Sequence, residues 1–175
     1  MEGLSCPRCR GAVSWVNVGA VELLECAPCG GVWMFAADFE RLLADQEAQA
    51  AVIAWRSEAE RAPRPDPVRY APCVRCGKLM NRLNFARVSG VIVDVCHDHG
   101  TWFDREELGR VVRFVQEGGL SKSRAAEVER LREEQRLHKI TMAATPPGGR
   151  GGYGGGERYE PATGDLLVAL LRMFT

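Results

Sequence analysis

No apolar run in this sequence approaches the roughly 20 residues needed to span a bilayer. The opening residues Met1-Glu2-Gly3-Leu4-Ser5 lack the basic flank and apolar stretch of a secretory signal. Net charge is missing too: 23 basic side chains balance 23 acidic ones, which removes any global electrostatic signal for nucleic acid or an anionic membrane surface. Together these absences lead us to expect a cytoplasmic chain with no membrane span. Its 175 residues leave room for one ordinary domain or two to three small ones. Disulfides are disfavoured by the same location, where thiols stay reduced. Seven cysteines are also an odd number, which pairs incompletely.

What is present is a metal-ligand pattern. The first block reads Cys6-Pro7-Arg8-Cys9, sixteen residues, then Cys26-Ala27-Pro28-Cys29; the second reads Cys73-Val74-Arg75-Cys76, nineteen residues, then Cys96-His97-Asp98-His99. Two residues between ligands let the chain form a tight knuckle with both donors on one side, and both spacers fit zinc sites. A β-hairpin in each spacer would bring its two knuckles together. Val13, Trp15, Val21 and Leu23 supply strand formers around a turn at Asn17-Val18-Gly19; in the second spacer Ser89-Gly90 offers a turn and residues 91–95 a strand. The fold implied is small α+β, two tandem zinc ribbons each followed by an α-helix.

The metal ligands are therefore Cys6, Cys9, Cys26 and Cys29 for one Zn2+, and Cys73, Cys76, Cys96 and His99 for a second. His99 keeps the two-residue spacing from Cys96, whereas the adjacent His97 would point elsewhere and reads as an exposed polar residue. His138 reads as a surface or packing histidine on a downstream helix. Catalytic zinc keeps only three protein ligands and leaves a position open. Both sites here can be filled by four, so the ions are expected to be structural. No βαβ pattern surrounds the C-x-x-C pairs to support thiol-redox chemistry, and no nucleophile–base arrangement supports an enzyme. Each ribbon is near or below the roughly 40 residues at which domains need metals or disulfides, so both are expected to unfold without zinc. Replacing Cys26 or Cys96 with Ser is expected to abolish zinc at the affected site alone.

The blocks match beyond their ligands. Gly30-Gly31-Val32-Trp33-Met34-Phe35 and Asp38-Phe39-Glu40-Arg41-Leu42-Leu43 follow the first; Gly100-Thr101-Trp102-Phe103-Asp104-Arg105-Glu106-Glu107-Leu108 follows the second. On these residues the chain resembles the bacterial transcription-factor-IIB-type zinc-finger family, with its C-P-x-C … C-x-x-C-G-G-x-W-L-D-x-x-E-L signature, over about residues 4–44 and 73–113. The resemblance implies a small zinc-ribbon protein, without implying a transcriptional role. Phe35 stands where the signature has Asp, His99 replaces the last Cys, and one Gly is absent before Trp102.

Asp104 and Glu107 read as a capping box with Asp104 as N-cap. Leu108, Val111, Val112 and Val115 then form one helical face. In the first block Phe39, Leu42, Leu43, Gln46, Ala50 and Ile53 extend a similar stripe to about Ala62, and Trp33 and Trp102 are expected to clamp each helix against its ribbon. The organisation expected is a first ribbon with its helix over 1–62, a Pro-rich linker over 63–72, and a second ribbon with its helix over 73–117. A charged helix follows over 121–145 with Val128, Leu131 and Leu137 as sparse apolar positions, then a Gly-rich tether over 146–160 and a short apolar helix over 161–175.

Two functions compete. A non-enzymatic interaction adaptor would present rigid ribbons and recruit a protein partner through the helix at 165–174. A nucleic-acid-binding protein would use the basic face of the second ribbon, Arg75, Lys78, Arg82 and Arg87, with Tyr70 and Phe85 interleaved. Against the second, Arg8 and Arg75 occupy equivalent knuckle positions, where an arginine would simply offset the charge of a thiolate-bound zinc.

Overall fold

A computed structural model of the chain describes residues 4–57 and 69–144. The tether expected at 146–160, the apolar segment at 161–175 and residues 63–68 of the Pro-rich linker lie outside the described residues. Both expected hairpins form. The first pairs β1 (Ser14–Val18) with β2 (Val21–Glu25). Val18 pairs with Val21 across a Gly19-Ala20 turn, so Asn17 and Val18, expected in the turn, stay in the strand. The corner needs a left-handed residue, and Gly19 takes φ +59 without a Cβ penalty. The second pairs β4 (Asn81–Asn84) with β5 (Ile92–Cys96). Its wider loop is held by Asn84, whose Oδ1 accepts from Ser89 Oγ and the Gly90 N–H while its Nδ2 donates to the Arg87 carbonyl.

Each half also has a third strand that the sequence pattern does not announce. The runs expected to brace the helices are instead β3 (Val32–Phe35) and β6 (Gly100–Phe103). These two strands pair with each other, antiparallel, so the two halves join in one six-stranded sheet of order β1-β2-β3-β6-β5-β4. Trp33 lies directly opposite Trp102, and the flanking pairs Val32–Phe103 and Met34–Thr101 exchange under a local two-fold through the tryptophans.

One face of this sheet carries helices α1 (Ala36–Ala44), α2 (Gln46–Ser57) and α3 (Glu107–Gln116). Val18, Leu23, Val32 and Met34 from the first half share a single core with Val93, Val95, Phe103, Leu108 and Val112 from the second. Phe39 of α1 touches Phe85 and Phe103 at ring-centroid distances of 5.9 and 5.1 Å, and Phe85 in turn meets Phe114. Because side chains alternate along a strand, Trp33 and Trp102 point to the other face. There they pack with Leu24, Met80, Cys6, Cys26, Cys73 and Cys96. The tryptophans therefore do not clamp the helices; they form the floor beneath the two cysteine clusters.

Two helix details also differ from expectation. The first helix is not continuous. Asp45 adopts extended backbone between α1 and α2, and its Oδ1 accepts from the Glu47 and Ala48 N–H groups, capping the new helix. This break shifts the apolar stripe. Gln46 and Ala50 are exposed, while Ala48, Gln49 and Val52 are buried, and Gln49 Nε2 donates to the Leu43 carbonyl left open at the end of α1. In the second half α3 starts at Glu107, and Asp104 is not its N-cap. Half the box survives, since Glu107 Oε2 accepts from the Asp104 N–H at 2.8 Å. The Asp104 carboxylate is turned instead to Trp102 Nε1 and Arg8. A further helix, α4 (Gly119–Ala144), touches the body through Ser123 and Glu127. Val128, Leu131, Leu137, Ile140 and Met142 along it are exposed, and ion pairs such as Arg130–Glu134 and Arg136–Glu133 line its surface. Among the described residues no helix is long and apolar enough to cross a membrane.

Candidate metal centres

Each knuckle is closed by backbone. The Cys6 N–H donates to the Gly11 carbonyl and the Arg10 N–H returns to the Cys6 carbonyl; Cys26 with Gly30 and Gly31, and Cys73 with Gly77 and Lys78, repeat this ring. The residue after the second ligand must be left-handed in this turn. Gly30 and Gly77 take φ of 72 and 71, while Arg10 accepts φ 60 despite its Cβ. The fourth knuckle differs: the His99 N–H donates to the Cys96 carbonyl, and Cys96 pairs with Gly100 in the β5–β6 ladder. Amides at the knuckle starts also point at sulfur, with the Arg8 N–H 3.3 Å from Cys6 Sγ and the Arg75 N–H 3.4 Å from Cys73 Sγ.

The eight donors expected from the sequence come together in two groups, Cys6, Cys9, Cys26 and Cys29, and Cys73, Cys76, Cys96 and His99, with the donor atoms of each group within 4.8 Å of one another. Tetrahedral zinc with Zn–S bonds near 2.3 Å spaces its sulfurs by about 3.8 Å. Here Cys6–Cys29 is 3.5 Å, Cys9–Cys26 is 3.4 Å and Cys76–Cys96 is 3.9 Å. These separations are far beyond the ~2.05 Å of a disulfide, and all seven cysteines are free. His99 enters through Nδ1, 3.4 Å from Cys96 Sγ and 3.8 Å from Cys73 Sγ. His97 stays outside, 66 % exposed and bonded to Asp98, and His138 is exposed on α4.

Four thiols this close cannot all ionise without a cation. Hydrogen bonding to Cys29, with burial, pushes the Cys6 thiol up. Burial pushes Cys26 to about 12, and the hydrogen bond from Cys6 draws Cys29 down to about 5. A divalent soft-to-borderline ion removes the conflict by stabilising every thiolate at once. The donor sets, four cysteines in one group and three cysteines with a histidine in the other, are those of zinc, two ions per chain. In each group the second cysteine, Cys9 or Cys76, is exposed, while the first and third are buried.

The surroundings of the two centres differ, and both knuckle arginines reach across to the opposite half. Arg8 crosses to the second half, where its guanidinium bonds Asp94 at 2.7 Å and Asp104 at 2.9 and 3.0 Å. Arg75 crosses the other way and lies 6.0 Å over the Phe35 ring. Phe35 stacks on Trp15, which is 59 % exposed. Equivalent positions thus hold a charged quadrant in one half (Arg8, Arg82, Asp94, Asp104) and an aromatic one in the other (Arg75, Trp15, Leu24, Phe35). With Phe35 in place of Asp, Trp33 Nε1 is buried without the acceptor that Asp104 gives Trp102. Two arginines with no motif to announce them lie against the Cys26–Cys29 knuckle. Arg56 donates to the Gly30 carbonyl at 3.1 Å, and a Cβ on Gly30 would stand 2.6 Å from Arg105 Nε.

The four basic residues expected to bind nucleic acid have different surroundings. Arg75 and Lys78 are exposed on the Cys73–Cys76 hairpin. Arg82 turns to Asp94 and the Arg69 carbonyl, and Arg87 pairs with Glu127 of α4. Phe85 is in the core. A cleft of about 580 Å³ does open between the two zinc hairpins, lined by Arg8, Arg10, Arg69, Tyr70, Pro72 and Val74 among others.

These features define a zinc-binding protein with two candidate metal centres. Comparison with known families agrees: the transcription factor zinc-finger family, a zinc ribbon of the TFIIB type, matches residues 5–45. That span runs from the first knuckle through β3 to the end of α1. The second donor group, at residues 73–99, lies outside the match. No curated protein and no solved structure matches this chain.

Proposed function

We propose that the chain is a non-enzymatic interaction adaptor whose second half is a second zinc ribbon, fused to the first through β3 and β6. Support for the duplication is the shared order of knuckle, hairpin, third strand and helix, with tryptophan at the same place in each. The observation that carries the non-enzymatic reading is that both centres are complete, with four protein donors each and no position left for substrate. Zinc there serves architecture. Binding capacity lies elsewhere, in large apolar side chains that the core does not use: Trp15, Tyr70 and Leu79 are 59, 65 and 71 % exposed. Exposed tryptophan, tyrosine and arginine are the side chains that dominate protein interfaces when buried by a partner. Nucleic acid is the second reading, carried by Arg10, Arg69 and Tyr70 at the cleft between the hairpins.

Labelled single-stranded oligonucleotide titrated into the zinc-loaded full chain across a salt series separates the two. The adaptor reading expects no binding at moderate salt; binding that weakens steeply with salt would favour the second reading. Affinity capture with the wild-type chain and a Trp15→Ser/Leu79→Ser variant tests the adaptor directly. A protein retained by the first and lost by the second supports it, and identical capture by both overturns the role of this surface.

A further inference from the structure

The two zinc centres are each finished by the other half of the molecule. The first centre ends in Cys29-Gly30-Gly31. A Cβ on Gly31 would overlap the Trp102 indole at 2.1 Å, and Arg105 lies over Gly30. The second centre ends in His99-Gly100. The His99 carbonyl accepts from the Ala36 N–H, and a Cβ on Gly100 would stand 2.1 Å from the Met34 carbonyl oxygen. Each final ligand therefore sits on a loop whose backbone is pressed against a strand of the opposite ribbon.

The guanidinium of Arg8 adds a second tie. It leaves the Cys6–Cys9 knuckle and is 9 % exposed where it meets Asp94, itself 1 % exposed, on the strand that delivers Cys96. It also reaches Asp104, which holds Trp102 Nε1. The Arg69 carbonyl, just before the Cys73 knuckle, accepts from the same guanidinium. A buried charge pair of this kind is strongly disfavoured once one partner is withdrawn, so the second half is arranged for a first knuckle that is in place.

We propose that the two zinc sites are thermodynamically coupled: metal at either one raises the affinity of the other, with Arg8 as the positioning residue that carries much of the coupling. This departs from the independence expected from the cysteine spacing, which could not show that β3 and β6 pair.

Cobalt(II), titrated into the zinc-free full chain, reports each site separately, because four sulfurs and three sulfurs with one nitrogen give different ligand-field bands. In the wild type both sets of bands are expected to rise together. In Cys26→Ser/Cys29→Ser the histidine-containing site should take cobalt about tenfold more weakly. Coupling between the two metals is reciprocal, so Cys73→Ser/Cys96→Ser should in turn weaken the four-cysteine site; weakening in one direction only would mark simple damage to one half and overturn the coupling. Arg8→Met removes no donor and should still weaken the histidine-containing site by about fivefold, whereas the exposed neighbour variant Arg10→Met should leave it unchanged. Affinities that stay within about twofold of wild type in the ligand variants would overturn the coupling. An unchanged histidine-containing site in Arg8→Met would overturn the role of Arg8.

Discussion

Asp94→Ala is the substitution from which most can be learned. Asp94 stands on the metal face of β5, 1 % exposed, with an Arg8 nitrogen at 2.7 Å and Arg82 at 3.9 Å. Breaking a buried ion pair by removing one member typically costs about 3–5 kcal/mol, because the other charge stays desolvated. Asp104 remains within 2.9 Å of Arg8 and is 26 % exposed, so it retains part of the compensation. We therefore expect a loss near the lower limit, about 3 kcal/mol. For a body of this size that is a fall of about 10 °C in Tm. Melting should be followed by circular dichroism at fixed free zinc, since bound metal shifts apparent stability by mass action. Arg8→Met/Asp94→Leu is the necessary companion. It gives the second half the leucine that the first half has at Leu24, and it should recover most of the loss, because an apolar replacement of a buried pair is close to neutral. Asp38→Ala is the contrast: its partner Arg41 is 53 % exposed, and the cost should be under about 1 kcal/mol. A Tm for Asp94→Ala within about 2 °C of wild type would refute the reasoning.

Other expectations follow from the same contacts. Gly100→Ala combines a Cβ 2.1 Å from the Met34 carbonyl with φ +149, whereas Gly77→Ala carries φ +71 in open space; urea unfolding should show the first costing more than about 3 kcal/mol and the second about 1. His99→Ala should lose one zinc per chain by elemental analysis, His99→Cys should keep it as a second four-sulfur site, and the exposed His97→Ala should lose none. Burial, aided by the carboxylates of Asp104 and Asp94, pushes the Glu107 carboxyl up to about 7. An acid with a raised folded pKa binds its proton more tightly when folded, so its stabilisation holds at low pH and is lost as pH rises through about 7. Glu107→Gln keeps the acceptor for the Asp104 N–H, and its stability relative to wild type should improve as pH rises from about 4.5 to about 7 and level off above that, as measured by denaturant midpoints at constant free zinc.

The ligands were legible because a knuckle is a local object: spacing within four residues decides which donors can share an ion. The hairpins were legible for a similar reason, from strand formers on either side of a glycine turn. β3 and β6 were not, although Val32-Trp33-Met34-Phe35 and Thr101-Trp102-Phe103 are strand-forming residues. Each run is only three or four residues long and leads straight towards a helix, so its strand character depends on a partner about 70 residues away in the sequence. The same distance hid the partners of Arg8, which lie 86 and 96 positions downstream. Asp45 was hidden differently. The apolar spacing continues through it, and only its extended backbone and side-chain cap convert one helix into two. Arg56 and Arg105 carried no signal at all, since each meets the first centre through a backbone carbonyl or a glycine rather than through a motif.

The most direct test of the central claim is zinc per chain by elemental analysis on the purified full-length protein, followed by circular dichroism before and after a strong chelator. Two zinc ions per chain are expected, with loss of the sheet signal when they are withdrawn, because the halves are too small to hold their hairpins without metal. A chain that carries no zinc and keeps its native spectrum in chelator would contradict that claim.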